Sequence, residues 1–149
     1  MIPCPACDAA NTLIEGEDPK SARCSYCGGP LFTGRPIHLT AERVTVHASA
    51  ENLPLLIDFW ASWCGPCQTM APIFETLAAE FEPMVRFAKV DTDAEKGLAD
   101  HFNIQSIPTL SLIRNRREIA RVAGVLYTAD LRRWLYGALS EPAGDEEAS

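Results

Sequence analysis

The apolar run Leu53-Pro54-Leu55-Leu56-Ile57-Asp58-Phe59-Trp60 is followed almost at once by Trp63-Cys64-Gly65-Pro66-Cys67. A continuous run of this length, bounded by a proline, reads as a strand buried on both faces. From Gly65 to Phe81 the residues Met70, Ile73, Phe74, Leu77, Ala78 and Phe81 recur at three-to-four spacing. That spacing predicts an amphipathic helix with Pro72 as an internal kink. A buried strand feeding a helix is the unit of an α/β core, and here two cysteines stand at the junction. A helix starting at Gly65 or Pro66 puts Cys64 at its N-terminus, where unpaired N–H groups and the helix dipole favour a thiolate. Cys67, one turn on, is close enough to close a disulfide, so the pair can cycle between dithiol and disulfide without a cofactor.

The flanking elements agree with a layered α/β chain. Pro36-Ile37-His38-Leu39 reads as a short strand, with Thr40 placed to cap a helix. Within that helix Val44-Thr45-Val46 favours a strand, while Glu42 and the alanines favour the helix that we assign. Val85–Val90 alternates as a strand, and Asp93 is placed to cap a short helix ending at His101-Phe102. Thr109–Ile113 and Glu118–Val122 form a hairpin through Asn115-Arg116, and Thr128 caps a final helix whose inner face carries Leu131, Trp134, Leu135 and Leu139. A short hairpin forces one antiparallel pair, so the sheet is mixed. The acidic stretch 141–149 reads as a disordered tail.

Net charge is -7 over 149 residues, which disfavours nucleic-acid and anionic-membrane partners. The N-terminus has neither the basic nor the apolar part of a secretory signal, and no apolar run is long enough to span a membrane. A cytoplasmic protein is expected. In a reducing compartment the six cysteines should not form three structural disulfides. Cys4/Cys7 and Cys24/Cys27 are two further Cys-x-x-Cys pairs, sixteen residues apart, the spacing of a closed four-cysteine zinc site. Gly28-Gly29 lets the second turn aim N–H groups at the sulfurs. Residues 1–35 contain few large apolar groups, among them Leu13, Ile14, Tyr26, Leu31 and Phe32, so a structural Zn2+ is the expected staple of this module. Four reduced thiols, or a redox-switched pair, account less well for the spacing and the glycines.

Asp58-Phe59-Trp60-Ala61-Ser62-Trp63-Cys64-Gly65-Pro66-Cys67, together with Ser106-Ile107-Pro108-Thr109, resembles the thioredoxin family over about residues 36–140. The four-cysteine extension resembles the zinc-containing bacterial thioredoxin 2 type. The resemblance implies a thioredoxin fold, a central mixed sheet flanked by helices, behind a zinc-ribbon-like module. It implies that Cys64 is the nucleophile, that Cys67 is the resolving thiol, and that Asp58, with Lys89 nearby, helps deprotonate Cys67. A core carboxylate paired with Lys89 is the plainer reading of Asp58. Pro108 matches the family's cis proline, which would expose the Ile107 backbone to an extended client. Trp63, Gly65, Pro66, Ile107 and the Gly124 loop would form the apolar rim of that surface.

The chain departs from the family pattern at Gln68, where a basic residue is common, and at Arg116-Arg117, where the hairpin turn commonly has glycine. His38, His47 and His101 show no metal spacing and read as solvated or capping residues. The implied activity is protein disulfide reduction by a monomer, with disulfide-containing client proteins and a thioredoxin reductase as partners and no bound organic cofactor. An oxidase or isomerase, and a redox sensor or binding module built on the zinc site, are the rival readings.

Overall fold

The structure, a computed structural model, describes residues 1–140; the predicted acidic tail lies outside them. Five strands form the central sheet: β3 (Ile37–His38), β4 (Leu55–Trp60), β5 (Arg86–Asp91), β6 (Thr109–Arg114) and β7 (Arg117–Ala123). Their spatial order is β3-β5-β4-β6-β7. β3, β5 and β4 run parallel, whereas β6 is antiparallel to β4 and β7 to β6. β4 is central, which explains its unbroken apolar run: Leu55 to Phe59 are buried whichever face they point to.

Two cores lie on the two faces of the sheet. Helices α2 (Gly65–Phe81) and α4 (Thr128–Leu139) cover one, packing Met70, Phe74, Leu77, Leu131 and Leu135 against Leu56, Phe87 and Leu110. Helices α1 (Ala41–Ala48) and α3 (Lys96–His101) cover the other, with Val44 and Leu98 against Ile57, Phe59 and Val90. This is the mixed, helix-flanked sheet expected of a thioredoxin fold.

The conflict in α1 resolves towards helix because Thr40 caps it, its hydroxyl accepting the Arg43 N–H at 3.4 Å, and because Val44 gains a core position. Two predicted caps are corrected. The N-cap of α3 is Glu95, because the Asp93 carboxylate is engaged elsewhere, and Asp91 Oδ1 instead accepts the N–H groups of Asp93 and Ala94. Thr128 lies inside α4, whose N-cap is Tyr127.

Residues 1–35 add a small two-stranded sheet, β1 (Ile2–Pro3) with β2 (Ala10–Asn11). Their apolar cluster is completed by the body of the chain: Cys4, Cys24, Leu31 and Phe32 pack with Ala50 and Leu53. Ile14 and Tyr26 stay exposed. Polar contacts fix the placement. Arg86, at the start of β5 and buried, donates to the carbonyls of Pro3 and Leu31 and lies over the Phe32 ring. Arg43 on α1 donates to Asp8 and, at 2.7 Å, to Pro5 O. His47, expected to be solvated or a cap, is buried, with Nε2 2.9 Å from Asp8 Oδ1. Burial drives its pKa down to about 4 despite Asp8, so the ring is neutral near pH 7 and Nε2–H donates.

Candidate active site

β4 ends at Trp60, and after a short turn the chain enters α2 at Gly65-Pro66, leaving Cys64 as the N-cap residue. Its backbone is extended (φ −91°, ψ 113°), which turns Sγ back over the first helical turn, where it accepts the Cys67 N–H at 3.1 Å. An N-cap oxygen normally fills this place. A thiolate here gains a charge-assisted hydrogen bond and the positive end of the helix dipole. Cys64 and Cys67 are joined as a disulfide, their Cα atoms 5.2 Å apart, and both residues are buried.

The surrounding loops frame this pair. The Ile107–Pro108 peptide is cis, and the Ile107 carbonyl oxygen lies 3.8 Å from Cys64 Sγ. Gly124 donates its N–H to Pro108 O at 2.8 Å and has φ +92°, a conformation that disfavours a side chain. Trp63 is 70% exposed, held by a 2.9 Å hydrogen bond from Nε1 to Asp93 Oδ2. Sequence reasoning missed this role of Asp93, because an aspartate before a helix reads first as a cap. Gln68 donates to Ser62 O at 3.1 Å and so braces the loop before Cys64. A cleft of about 490 Å³ runs beside Trp63, Cys64, Gly65, Pro66 and Ile107.

Asp58 sits mid-strand in β4, in register with Lys89 on β5 and Leu110 on β6. Strand alternation puts its side chain on the face covered by α2. It is fully buried, and neither carboxylate oxygen has a hydrogen-bond partner among the described residues. Burial pushes its pKa up to about 6, the positive charge of Lys89 opposing the rise. Lys89 does not close an ion pair with it; the ammonium sits 4.8 Å from the centroid of the Trp60 ring.

The four remaining cysteines converge. The sulfurs of Cys4, Cys7, Cys24 and Cys27 all lie within 4.8 Å of one another, with Cys4–Cys27 at 3.6 Å and Cys7–Cys24 at 3.7 Å. Four thiolates at about 2.3 Å from a tetrahedral zinc would be spaced by about 3.8 Å, so the cluster suits that ion. The N–H groups of Ala6, Tyr26 and Gly29 point at Cys4, Cys24 and Cys27 from 3.3–3.4 Å. Asn11, buried and unnoticed in the sequence, donates Nδ2 to Cys24 Sγ at 3.4 Å while its Oδ1 accepts the Ser25 N–H. Gly28 turns the second knuckle at φ +79°, and Asp8 turns the first at φ +67°. A left-handed aspartate leaves less signal than a glycine.

A family profile described as Thioredoxin matches residues 36–136. Thioredoxin C-3 of Corynebacterium nephridii is 40% identical over 145 residues, 97% of this chain and 99% of that protein. A bifunctional thioredoxin reductase/thioredoxin of Mycobacterium leprae is 36% identical over 100 residues, 67% of this chain and 22% of that one. The solved structure of a mutant thioredoxin from Halobacterium salinarum superposes with a TM-score of 0.65 at 27% identity, covering 73% of this chain and 95% of that one. The helix-capping disulfide, the cis proline beside it and these matches lead to one conclusion: the chain belongs to the thioredoxin family of dithiol–disulfide oxidoreductases.

Proposed function

We propose that the protein is a cytoplasmic, monomeric protein disulfide reductase whose residues 36–140 do the chemistry and whose residues 1–35 form a zinc-binding module. The observation that carries this reading is the position of Cys64, capping α2 with Sγ on the Cys67 N–H and facing the Ile107 carbonyl. In the reduced protein the Cys64 thiolate attacks one sulfur of a client disulfide. A mixed disulfide forms, and the other client sulfur leaves as a thiolate and takes a proton from water. Cys67 then loses its proton to Asp58, whose pKa of about 6 suits that transfer near neutrality. The Cys67 thiolate attacks Cys64 Sγ and expels the second client thiolate. Two electrons pass to the client, and the Cys64–Cys67 disulfide is what remains.

The cis peptide leaves the Ile107 main chain open to an extended client segment, which would add as a strand while Trp63, Gly65, Pro66 and the Gly124 loop contact its side chains. Recycling requires an external two-electron donor, and a thioredoxin reductase is the partner proposed. Its link to thioredoxin in the Mycobacterium leprae relative supports that choice. Cys4, Cys7, Cys24 and Cys27 would hold zinc, which supplies folding energy to a segment short of apolar core. Among the described residues no helix is long and apolar enough to cross a membrane, in keeping with the location proposed. Insulin reduction coupled to a thioredoxin reductase tests the scheme. Cys64→Ser abolishes turnover if Cys64 is the nucleophile, and full turnover by that variant would refute the mechanism.

A further inference from the structure

On the sheet face away from α2 and α4, helices α1 and α3 and the β6–β7 hairpin enclose a cleft of about 430 Å³. Its volume is that of a small-molecule site. It shares no lining residue with the cleft beside Cys64, although α3 contributes to both. Val44, Leu98 and Ile113 give it an apolar floor, and Arg116, Glu118 and Arg121 stand among its polar residues. Two of those three are committed to the fold. Arg121 Nε donates to Glu118 Oε2 at 2.9 Å, and its guanidinium also donates to the carbonyls of Phe102 and Asn103. Glu118 further accepts the hydroxyl of Ser111.

Arg116 differs. It is exposed, and among the described residues its guanidinium has no hydrogen bond or ion pair; its backbone N–H donates to Ala48 O at 3.0 Å. It is the second of two left-handed residues in the hairpin turn, Asn115 at φ 52° and Arg116 at φ 68°. A two-residue turn of this kind favours Asn-Gly, and an arginine in the glycine place carries a backbone cost that glycine avoids. The chain accepts that cost and its own side chains give the cation no partner. A strained residue lining a cavity points to a ligand.

We propose that this cleft binds a small organic anion with an apolar body, its carboxylate on Arg116 and its body against Val44, Leu98 and Ile113. The overall charge of -7 repels anions in general, so binding depends on this local cation and on apolar burial. The site is separate from the redox reaction.

Decanoate is the probe, titrated into the oxidised full chain and followed by amide NMR, with decanol as its neutral match. Amide shifts centred on Ala48, Leu98, Phe102 and Ile113, with Cys64, Gly65 and Ile107 unmoved, are expected. Arg116→Gly relieves the left-handed backbone and so keeps the fold; it should weaken decanoate by about tenfold or more and leave decanol unchanged, a carboxylate–guanidinium contribution of about 1.4 kcal/mol. Equal decanoate binding by the variant would overturn the proposal. So would shifts centred on the Cys64 cleft, no binding up to about 1 mM, or binding seen only after residues 141–149 are removed, which would make the chain's own acidic end the occupant.

Discussion

Replacing Asp58 by asparagine should make the protein more stable and less active, and the size of the first effect follows from burial. The carboxyl group is fully buried without a hydrogen-bond partner among the described residues, and its pKa rises from an ordinary 3.8 to about 6. Below pH 3.8 the acid is protonated in folded and unfolded chains alike, and ionisation costs the fold nothing. Between 3.8 and about 6 the unfolded chain ionises while the folded one holds its proton, so stability falls as pH rises. Above about 6 both are ionised and the full penalty remains, about 3 kcal/mol at roughly 1.36 kcal/mol per pH unit.

Asparagine resembles the protonated acid and escapes that penalty. At about pH 7.5 the oxidised Asp58→Asn protein should gain about 3 kcal/mol, seen as a rise in Tm of about 10 °C for a chain of this size. At about pH 3.5 the two proteins should melt together. Insulin reduction should slow by about 10²-fold, the lower range for losing a positioned base. Scanning calorimetry at the two pH values decides the matter. A variant no more stable at the higher pH, or equally stabilised at both, would refute desolvation of the ionised carboxylate as the source of the shift.

Two predictions concern the seam between residues 1–35 and the sheet. Arg86→Ala would strip two carbonyls of their donor and remove from the buried Glu82 carboxylate the positive charge that acts on it; a loss of about 3–5 kcal/mol in urea denaturation is expected, and a change under about 0.5 kcal/mol would show that the seam contributes little. His47, with its pKa depressed from 6.5 to about 4, supports the fold while neutral. Its contribution is complete above pH 6.5 and is lost as pH falls towards about 4, by up to about 3 kcal/mol. His47→Gln should flatten that part of the pH–stability curve; an unchanged acid limb would contradict the assignment.

The strand–cysteine–helix junction was legible because β4 is central: a strand buried on both faces has to be continuously apolar, and Asp58 stands out only against that run. The hairpin was equally local, its two left-handed residues carried by Asn115 and Arg116. Helix ends were less legible. Asp93 and Thr128 both have capping chemistry, but Asp93 is held by the indole of Trp63 and Thr128 falls one residue inside α4. The seam could not be read at all. Arg43, His47 and Arg86 are unremarkable in their own helix and strand, and their partners Asp8, Pro5, Pro3 and Leu31 are brought to them only by the folded chain. The cis peptide at Glu82–Pro83 also went unforeseen, since no local motif marks it.

We propose that the six cysteines divide between redox chemistry and metal binding. Timed alkylation of the reduced native protein, read by mass spectrometry alongside metal content, tests it most directly. One zinc per chain is expected, with rapid modification confined to Cys64, slower modification of the buried Cys67, and release of Cys4, Cys7, Cys24 and Cys27 to the reagent only after chelation or unfolding. Rapid labelling of any of those four in the zinc-loaded protein, or a folded reduced protein without metal, would contradict it.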